Sequence, residues 1–159
     1  MGLVMISAHP NNKMKYGQLS GLDKRVSCLV MGTILHTEQM VMHAPVLFDE
    51  FFACGGNCFD TAHIYGDGLS DRVLGEWIHD RHIRDEVVIL GKGAHTPWCN
   101  PDGITAQLYE SLDWLQTDYI DIYMMHRDNP EVSVSEFIDV LNEHKNAGRI
   151  RTFGGSNWS

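Results

Sequence analysis

Short apolar runs alternate with amphipathic stretches along most of the chain. From Val26 onward the runs occupy residues 26–33, 58–61, 87–92, 119–126 and 150–157. They are short and rich in β-branched and aromatic side chains, so they read as strands of a buried parallel sheet. Four helical patterns fill the gaps, at about 38–54, 70–82, 101–116 and 133–147. The second opens at Ser70, a good N-cap residue, and places Val73, Leu74, Trp77 and Ile78 on one face. The third carries Pro101 at its start, where the missing N–H costs nothing, and sets Ile104, Leu108, Leu112 and Leu115 at helical spacing. The fourth holds Phe137, Ile138 and Leu141 and ends at Gly148, a residue suited to the left-handed position after a helix. Strand starts recur about every 30 residues, the length of one strand–helix unit. The predicted class is α/β with parallel strands.

Two parallel architectures compete for this pattern. A doubly wound dinucleotide fold wants a glycine fingerprint in the first strand–helix turn, and Met31-Gly32-Thr33-Ile34 offers one glycine. Gly91-Lys92-Gly93 is a fragment of such a loop, with Thr96 where its third glycine should stand. A phosphate-binding loop fails too, because neither Ser nor Thr follows Lys92. The (β/α)8 barrel instead gathers its functional residues at the C-terminal ends of successive strands. There the unusual residues fall: Asp60 closes the second run, Lys92 the third and His126 the fourth, while Ser156 and Asn157 close the fifth. Ionisable groups at the ends of apolar strands are costly unless paired or used, so these strand ends in register make a site. The expected fold is a parallel (β/α) barrel of TIM type.

Composition narrows the partners more than the fold. At 159 residues, 43% hydrophobic and 21% charged, the chain can build a core as one domain or as a piece of a larger one. Twelve basic against 21 acidic side chains leave a net charge of −9, which argues against nucleic acid and anionic membrane surfaces as partners. No apolar run is long enough to span a bilayer. The four cysteines, Cys28, Cys54, Cys58 and Cys99, show no knuckle spacing. Cys54 and Cys58 with His63 could be imagined as metal ligands, but Cys54 at a helix end and Cys58 as a small hydrophobe in a strand suffice, and no metal is expected. Without a disulfide pattern, a reducing cytoplasm is the expected compartment. The first eight residues lack the early positive charge of a signal peptide, and Ile6 stands where myristoylation wants Ser or Thr. Residues 1–13 read as a disordered or extended tail, with the organised chain running over 14–159.

The stretch Gly56-Asn57-Cys58-Phe59-Asp60-Thr61-Ala62-His63-Ile64-Tyr65-Gly66 resembles the Asp–Tyr signature of the aldo-keto reductases. The likeness continues through Lys92, through Asp121-Ile122-Tyr123-Met124-Met125-His126, and from Gly148-Arg149-Ile150-Arg151 to Ser156-Asn157-Trp158. Met14-Lys15-Tyr16 to Val26-Ser27 resembles the short opening hairpin of that family. The resemblance implies an oxidoreductase that reduces a small aldehyde or ketone with NADPH rather than NADH. It implies Tyr65 as acid/base, Lys92 and Asp60 tuning it, and His126 orienting the substrate. It also implies that Ser156 and Asn157 hold the nicotinamide carboxamide, and that Gly32, Thr33 and Asp60 line the cofactor.

Elementary chemistry explains why these residue types belong together. Adding hydride to a carbonyl leaves an alkoxide that needs a proton donor near neutral pH. A tyrosine can serve, but the free side chain has a pKa of about 10. A neighbouring lysine cation favours the phenolate and brings that value toward working pH, and an aspartate pairs the lysine so that it stays in place. A histidine can donate to the carbonyl oxygen as negative charge develops there. No side chain supplies hydride, so a cofactor must.

Each residue alone has a duller explanation: a turn cap for Asp60, a half-buried aromatic for Tyr65, a solvated strand end for Lys92, a structural imidazole for His126. The joint spacing is what favours chemistry. Trp98 is a candidate for a substrate pocket, and Trp77 and Trp114 for the core. His9, His36, His43, His79, His82 and His144 are assigned nothing. A complete barrel has about eight strand–helix units, so the expectation is a barrel truncated after its fifth strand. It would lack the later loops that grip the adenosine phosphate, and it would self-associate through exposed strand edges. The alternative function is a catalytically inert fragment or partner-binding half-barrel that keeps the motif. An aldolase using Lys92 as a Schiff base leaves Asp60 and Tyr65 unexplained.

Overall fold

A computed structural model describes residues 6–35 and 37–158. His36, Ser159 and residues 1–5 of the expected tail lie outside the described residues. The chain opens with an antiparallel hairpin, β1 (Tyr16–Gln18) and β2 (Arg25–Ser27). Five parallel strands follow and pair in chain order: β3 (Val30–Gly32), β4 (Cys58–Asp60), β5 (Val88–Gly93), β6 (Ile120–Met125) and β7 (Ile150–Gly155). The crossovers carry α1 (Glu38–Ala53), α2 (Leu69–Arg81), α3 (Pro101–Trp114) and α4 (Val134–Asn146). Among the described residues, no helix is long and apolar enough to cross a membrane.

The run expected as one strand over 26–33 is two. The Ser27 hydroxyl donates to the Leu29 carbonyl at 2.7 Å and the Cys28 N–H donates to the Lys15 carbonyl at 2.8 Å, so the chain bends between β2 and β3. Val26 and Ser27 therefore belong to the hairpin. The start of α2 also differs from expectation. Gly68, at φ +81°, precedes the helix, and Ser70 lies inside the first turn, where its buried hydroxyl accepts from the Leu35 N–H at 3.3 Å. A Cβ at Gly68 would sit 2.4 Å from the Trp114 ring, so packing as well as backbone conformation demands glycine there. The other starts follow the sequence signals: Thr37 accepts from the Met40 N–H at 3.2 Å, and Asn100, ahead of Pro101, accepts from the Gly103 N–H at 2.8 Å. Gly148, at φ +78°, lies just past α4 as its position predicted.

The two faces of the sheet are buried differently. The outer face packs on the helices, with Phe59 meeting Phe48 and Trp77 at ring separations of 5.4 and 5.0 Å. Leu74, Trp77 and Ile78 of α2, Ile104, Leu108 and Leu112 of α3 and Phe137 and Leu141 of α4 join this core, each contributing about 1.5–3 kcal/mol of burial. Ile138 does not, being 41% exposed. The inner face is lined by Cys58, Val88 and Ile122, with Leu22 and Val26 from the hairpin region packed against them. Asn57 ties the hairpin down, accepting from the Ser27 N–H and donating to the Arg25 carbonyl, both at 2.8 Å. At the strand starts, buried Asp121 pairs with Lys24 and Arg84, each at 2.9 Å. That end is closed by structural contacts, and the C-terminal strand ends are left for chemistry. Residues 6–13 form neither helix nor strand, and the His9 N–H donates to the Ala53 carbonyl at 2.7 Å.

Candidate active site

Register decides which side chains meet. Gly32 pairs with Asp60 and Asp60 with Leu90, so Lys92 lies two residues farther along the same inner face. Lys92 pairs with Met124, and His126 lies two residues beyond that. Met124 pairs with Gly154, and Ser156 lies two residues beyond it. The polar residues therefore climb stepwise around one mouth, directly above the apolar row Cys58, Val88 and Ile122.

Lys92 is 6% exposed and its ammonium is ion-paired with Asp60 Oδ1. The same Nζ stands 5.1 Å from the centre of the Tyr65 ring. Tyr65 arrives from the loop between β4 and α2, and its ring meets His126 edge-on, 5.9 Å between centres at 82°. The structure thus brings Asp60, Tyr65, Lys92 and His126 together. The His126 N–H donates to the Gly93 carbonyl at 2.7 Å, which seats the residue, while its Nδ1 is buried and without a hydrogen-bond partner. Burial pushes the His126 imidazole down to about 4, helped by positive charge at His95, Lys92 and Arg127, so the ring is neutral at physiological pH.

The remaining sequence candidates sit around this quartet. Ser156 is half-buried and its N–H donates to the Met125 carbonyl at 2.9 Å, while Asn157 is exposed and donates to the Ser156 hydroxyl at 3.0 Å. Thr33 is buried and sends both its N–H and its hydroxyl to the Asp60 carbonyl, at 3.0 and 3.1 Å. Gly32 and Gly154 flank the inner face at the two sheet edges, and a Cβ at either would meet nothing within 4 Å. Beside the quartet lies a cleft of about 380 Å³ lined by His63, Ile64, His95, Trp98 and Trp114 among others, with Trp98 60% exposed. Trp114, expected in the core, is half-buried here and stacks on His63 at 4.7 Å.

Burial pushes the Cys58 thiol up to about 12, with Asp60 and Asp121 adding to the shift, which disfavours a thiolate there. Among the described residues, no three His, Cys, Asp or Glu side chains are grouped to hold a metal ion. Two neighbours escaped the sequence reading. His95 meets His126 edge-on at 4.9 Å. Asp71 is buried in the first turn of α2 and accepts from the Thr61 hydroxyl at 2.5 Å. His95 had one weak signal, its place three residues past a charged strand end; Asp71 looked like an ordinary first-turn acid.

Comparison with known proteins gives the family and the fold. The profile of the aldo/keto reductase family matches residues 29–159. An aldo-keto reductase of Bacillus subtilis, YhdN, is 37% identical over 113 residues, 66% of this chain and 34% of its own. A probable aryl-alcohol dehydrogenase of Saccharomyces cerevisiae is 32% identical over 69% of this chain and 38% of its own. Among solved structures, the holo form of an aldo-keto reductase from Bacillus halodurans superposes with a TM-score of 0.79 at 31% identity, covering 90% of this chain and 50% of that one. An aldo-keto reductase from Klebsiella pneumoniae in complex with NADPH gives 0.76 at 28% identity, covering 85% and 47%. The chain spans about a third to half the length of these relatives.

Proposed function

The chain belongs to the aldo-keto reductase family, and on that premise we propose that it carries the catalytic residues of an oxidoreductase that reduces a small aldehyde or ketone with NADPH. The observation that carries this reading is the placement of Lys92, paired with Asp60 and 5.1 Å from the Tyr65 ring, with neutral His126 edge-on to that ring. Tyr65 gives its hydroxyl proton to the alkoxide oxygen. Lys92 stabilises the phenolate left behind, and Asp60 keeps the ammonium charged and aimed. His126, uncharged, donates a ring N–H to the carbonyl oxygen and steadies the charge gathering there.

A bound reduced nicotinamide supplies the hydride. The residues present suit such a group: open space at Gly32 and Gly154 flanks the inner face, and Ser156 and Asn157 offer amide and hydroxyl partners at the end of β7. Thr33 is buried and donates to the Asp60 carbonyl, so its part is to seat that residue's backbone. NADPH is preferred over NADH because the Klebsiella relative was solved with it. The name of the yeast relative and the tryptophans of the adjoining cleft make an aromatic aldehyde the first substrate to offer. We read residues 14–159 as the N-terminal part of a (β/α)8 barrel, acting in the cytoplasm.

The test is a titration with NADPH followed by tryptophan fluorescence, then a turnover assay, with Tyr65→Phe beside the wild type. The reading expects both proteins to bind cofactor and only the wild type to turn over. Equal turnover by Tyr65→Phe would overturn it. Cofactor binding without turnover by the wild type would favour the inert, partner-binding alternative.

A further inference from the structure

His126 is held in an unusual way for a residue that must aim a ring N–H. Its backbone is pinned to β5 through the Gly93 carbonyl, yet its Nδ1 is buried with no hydrogen-bond partner. A histidine ring is usually fixed, and its tautomer chosen, by the bond its second nitrogen makes. Here that bond is missing, and two rings flank the imidazole instead: Tyr65 at 5.9 Å and 82°, and His95 at 4.9 Å and 88°. His95 reaches this position through the local geometry at Ala94, a residue of the buried core. Ala94 adopts φ +56° at the end of β5, and its N–H is pinned at 2.7 Å by Gln107 Oε1 of α3, which turns the next side chain toward the site. The Nδ1 of His95 lies 3.1 Å from the Thr96 carbonyl, and the residue also lines the cleft beside the quartet.

We propose that His95 is a positioning residue: by packing edge-on against His126 it fixes the orientation of that imidazole toward the carbonyl oxygen. The proposal rests on the reductase reading above, since it concerns how His126 meets its substrate. Edge-to-face packing of this kind is directional, so it can do what the absent Nδ1 bond would otherwise do. It also acts on charge. The groups that face His126 are Tyr65 from the β4–α2 loop, Lys92 from β5 (paired with Asp60), His95 from the loop after β5, and Arg127 on its own segment. Ser156, next to it across the β6–β7 pairing, carries no charge. Burial and three of these neighbours all disfavour the imidazolium, and among the charges His95 has the largest effect.

The experiment titrates the imidazoles of the 15N-labelled protein by NMR in the wild type, His95→Ala and His95→Phe, and measures kcat and KM on the same samples. In His95→Ala, the His126 titration should move up from about 4. Its kcat should fall about tenfold, as a misaimed donor requires, while the KM for NADPH stays put. His95→Phe restores the ring contact without the charge. It should recover kcat while its His126 titration stays raised as in His95→Ala. A purely structural role would leave kcat unmoved, and a titration that returns to the wild-type value in His95→Phe would assign the shift in His95→Ala to water entry rather than to lost charge. Unchanged titration and kcat in His95→Ala would overturn the proposal, as would failure of His95→Phe to recover kcat. If the wild type reduces no carbonyl, the reductase reading falls, and the NMR titration still decides whether His95 acts on His126.

Discussion

Asp60 and Lys92 stand in unequal positions within one ion pair. The ammonium is 6% exposed and the carboxylate 34%, so losing either partner leaves a different orphan. Asp60→Asn strands a charge almost out of water and should cost about 1–3 kcal/mol of stability. Lys92→Met leaves a carboxylate that water can reach and should cost clearly less, while both variants lose turnover; chemical denaturation beside kcat separates the two effects. His126 adds a pH dependence whose sign is fixed. Its folded value of about 4 lies below the ordinary imidazole value of about 6.5, so the unfolded chain binds the extra proton first. Stability should therefore fall as pH drops from about 6.5 toward 4, and His126→Gln should flatten that slope in melts across the range. Asp60, Lys92 and His126 were legible in the sequence because ionisable residues at the ends of apolar runs are rare, and Tyr65 only because the stretch around it resembles a family signature. His95 was not, because only Ala94's left-handed turn and Gln107's grip on it carry the ring to His126. Asp71 was hidden for a similar reason: helical periodicity does not say that its carboxyl faces the Thr61 hydroxyl.

The elements themselves follow the apolar periodicity closely, and the departures have local causes. The first run divides because the Ser27 side chain bonds the backbone two residues ahead, a competition that composition does not display. At α2, Ser70 carries the sequence signature of a cap, but the cleft between helices fills with Trp114 at Gly68 and moves the start forward. Gly68→Ala meets both the φ of +81° and the Trp114 ring 2.4 Å away, and should cost about 1–3 kcal/mol in a thermal or denaturant melt. Ser70→Ala removes the acceptor for the buried Leu35 N–H and should cost about 1 kcal/mol while leaving the helical CD signal intact. A larger loss of helix from Ser70→Ala than from Gly68→Ala would restore Ser70 as the cap.

At the scale of the whole molecule, the five-stranded sheet has β3 at one edge and β7 at the other. Leu29, Val30, Ile34 and Leu47 are exposed beside β3 and on α1. Open strand edges next to apolar surface invite pairing with another chain. The polypeptide studied by itself should therefore show concentration-dependent association in sedimentation velocity, and a monodisperse monomer at every concentration would contradict this. Alternating strands and helices mark the sheet as parallel in the sequence, but which edges stay open depends on contacts remote along the chain. The proposed function places hydride transfer to a carbonyl at the mouth above Cys58, Val88 and Ile122. It is tested most directly by supplying NADPH deuterated at the transferring position together with an aromatic aldehyde. An alcohol carrying deuterium on the former carbonyl carbon is expected with the wild type and none with Tyr65→Phe; alcohol formed equally by both proteins, or free of deuterium, would overturn the proposed function.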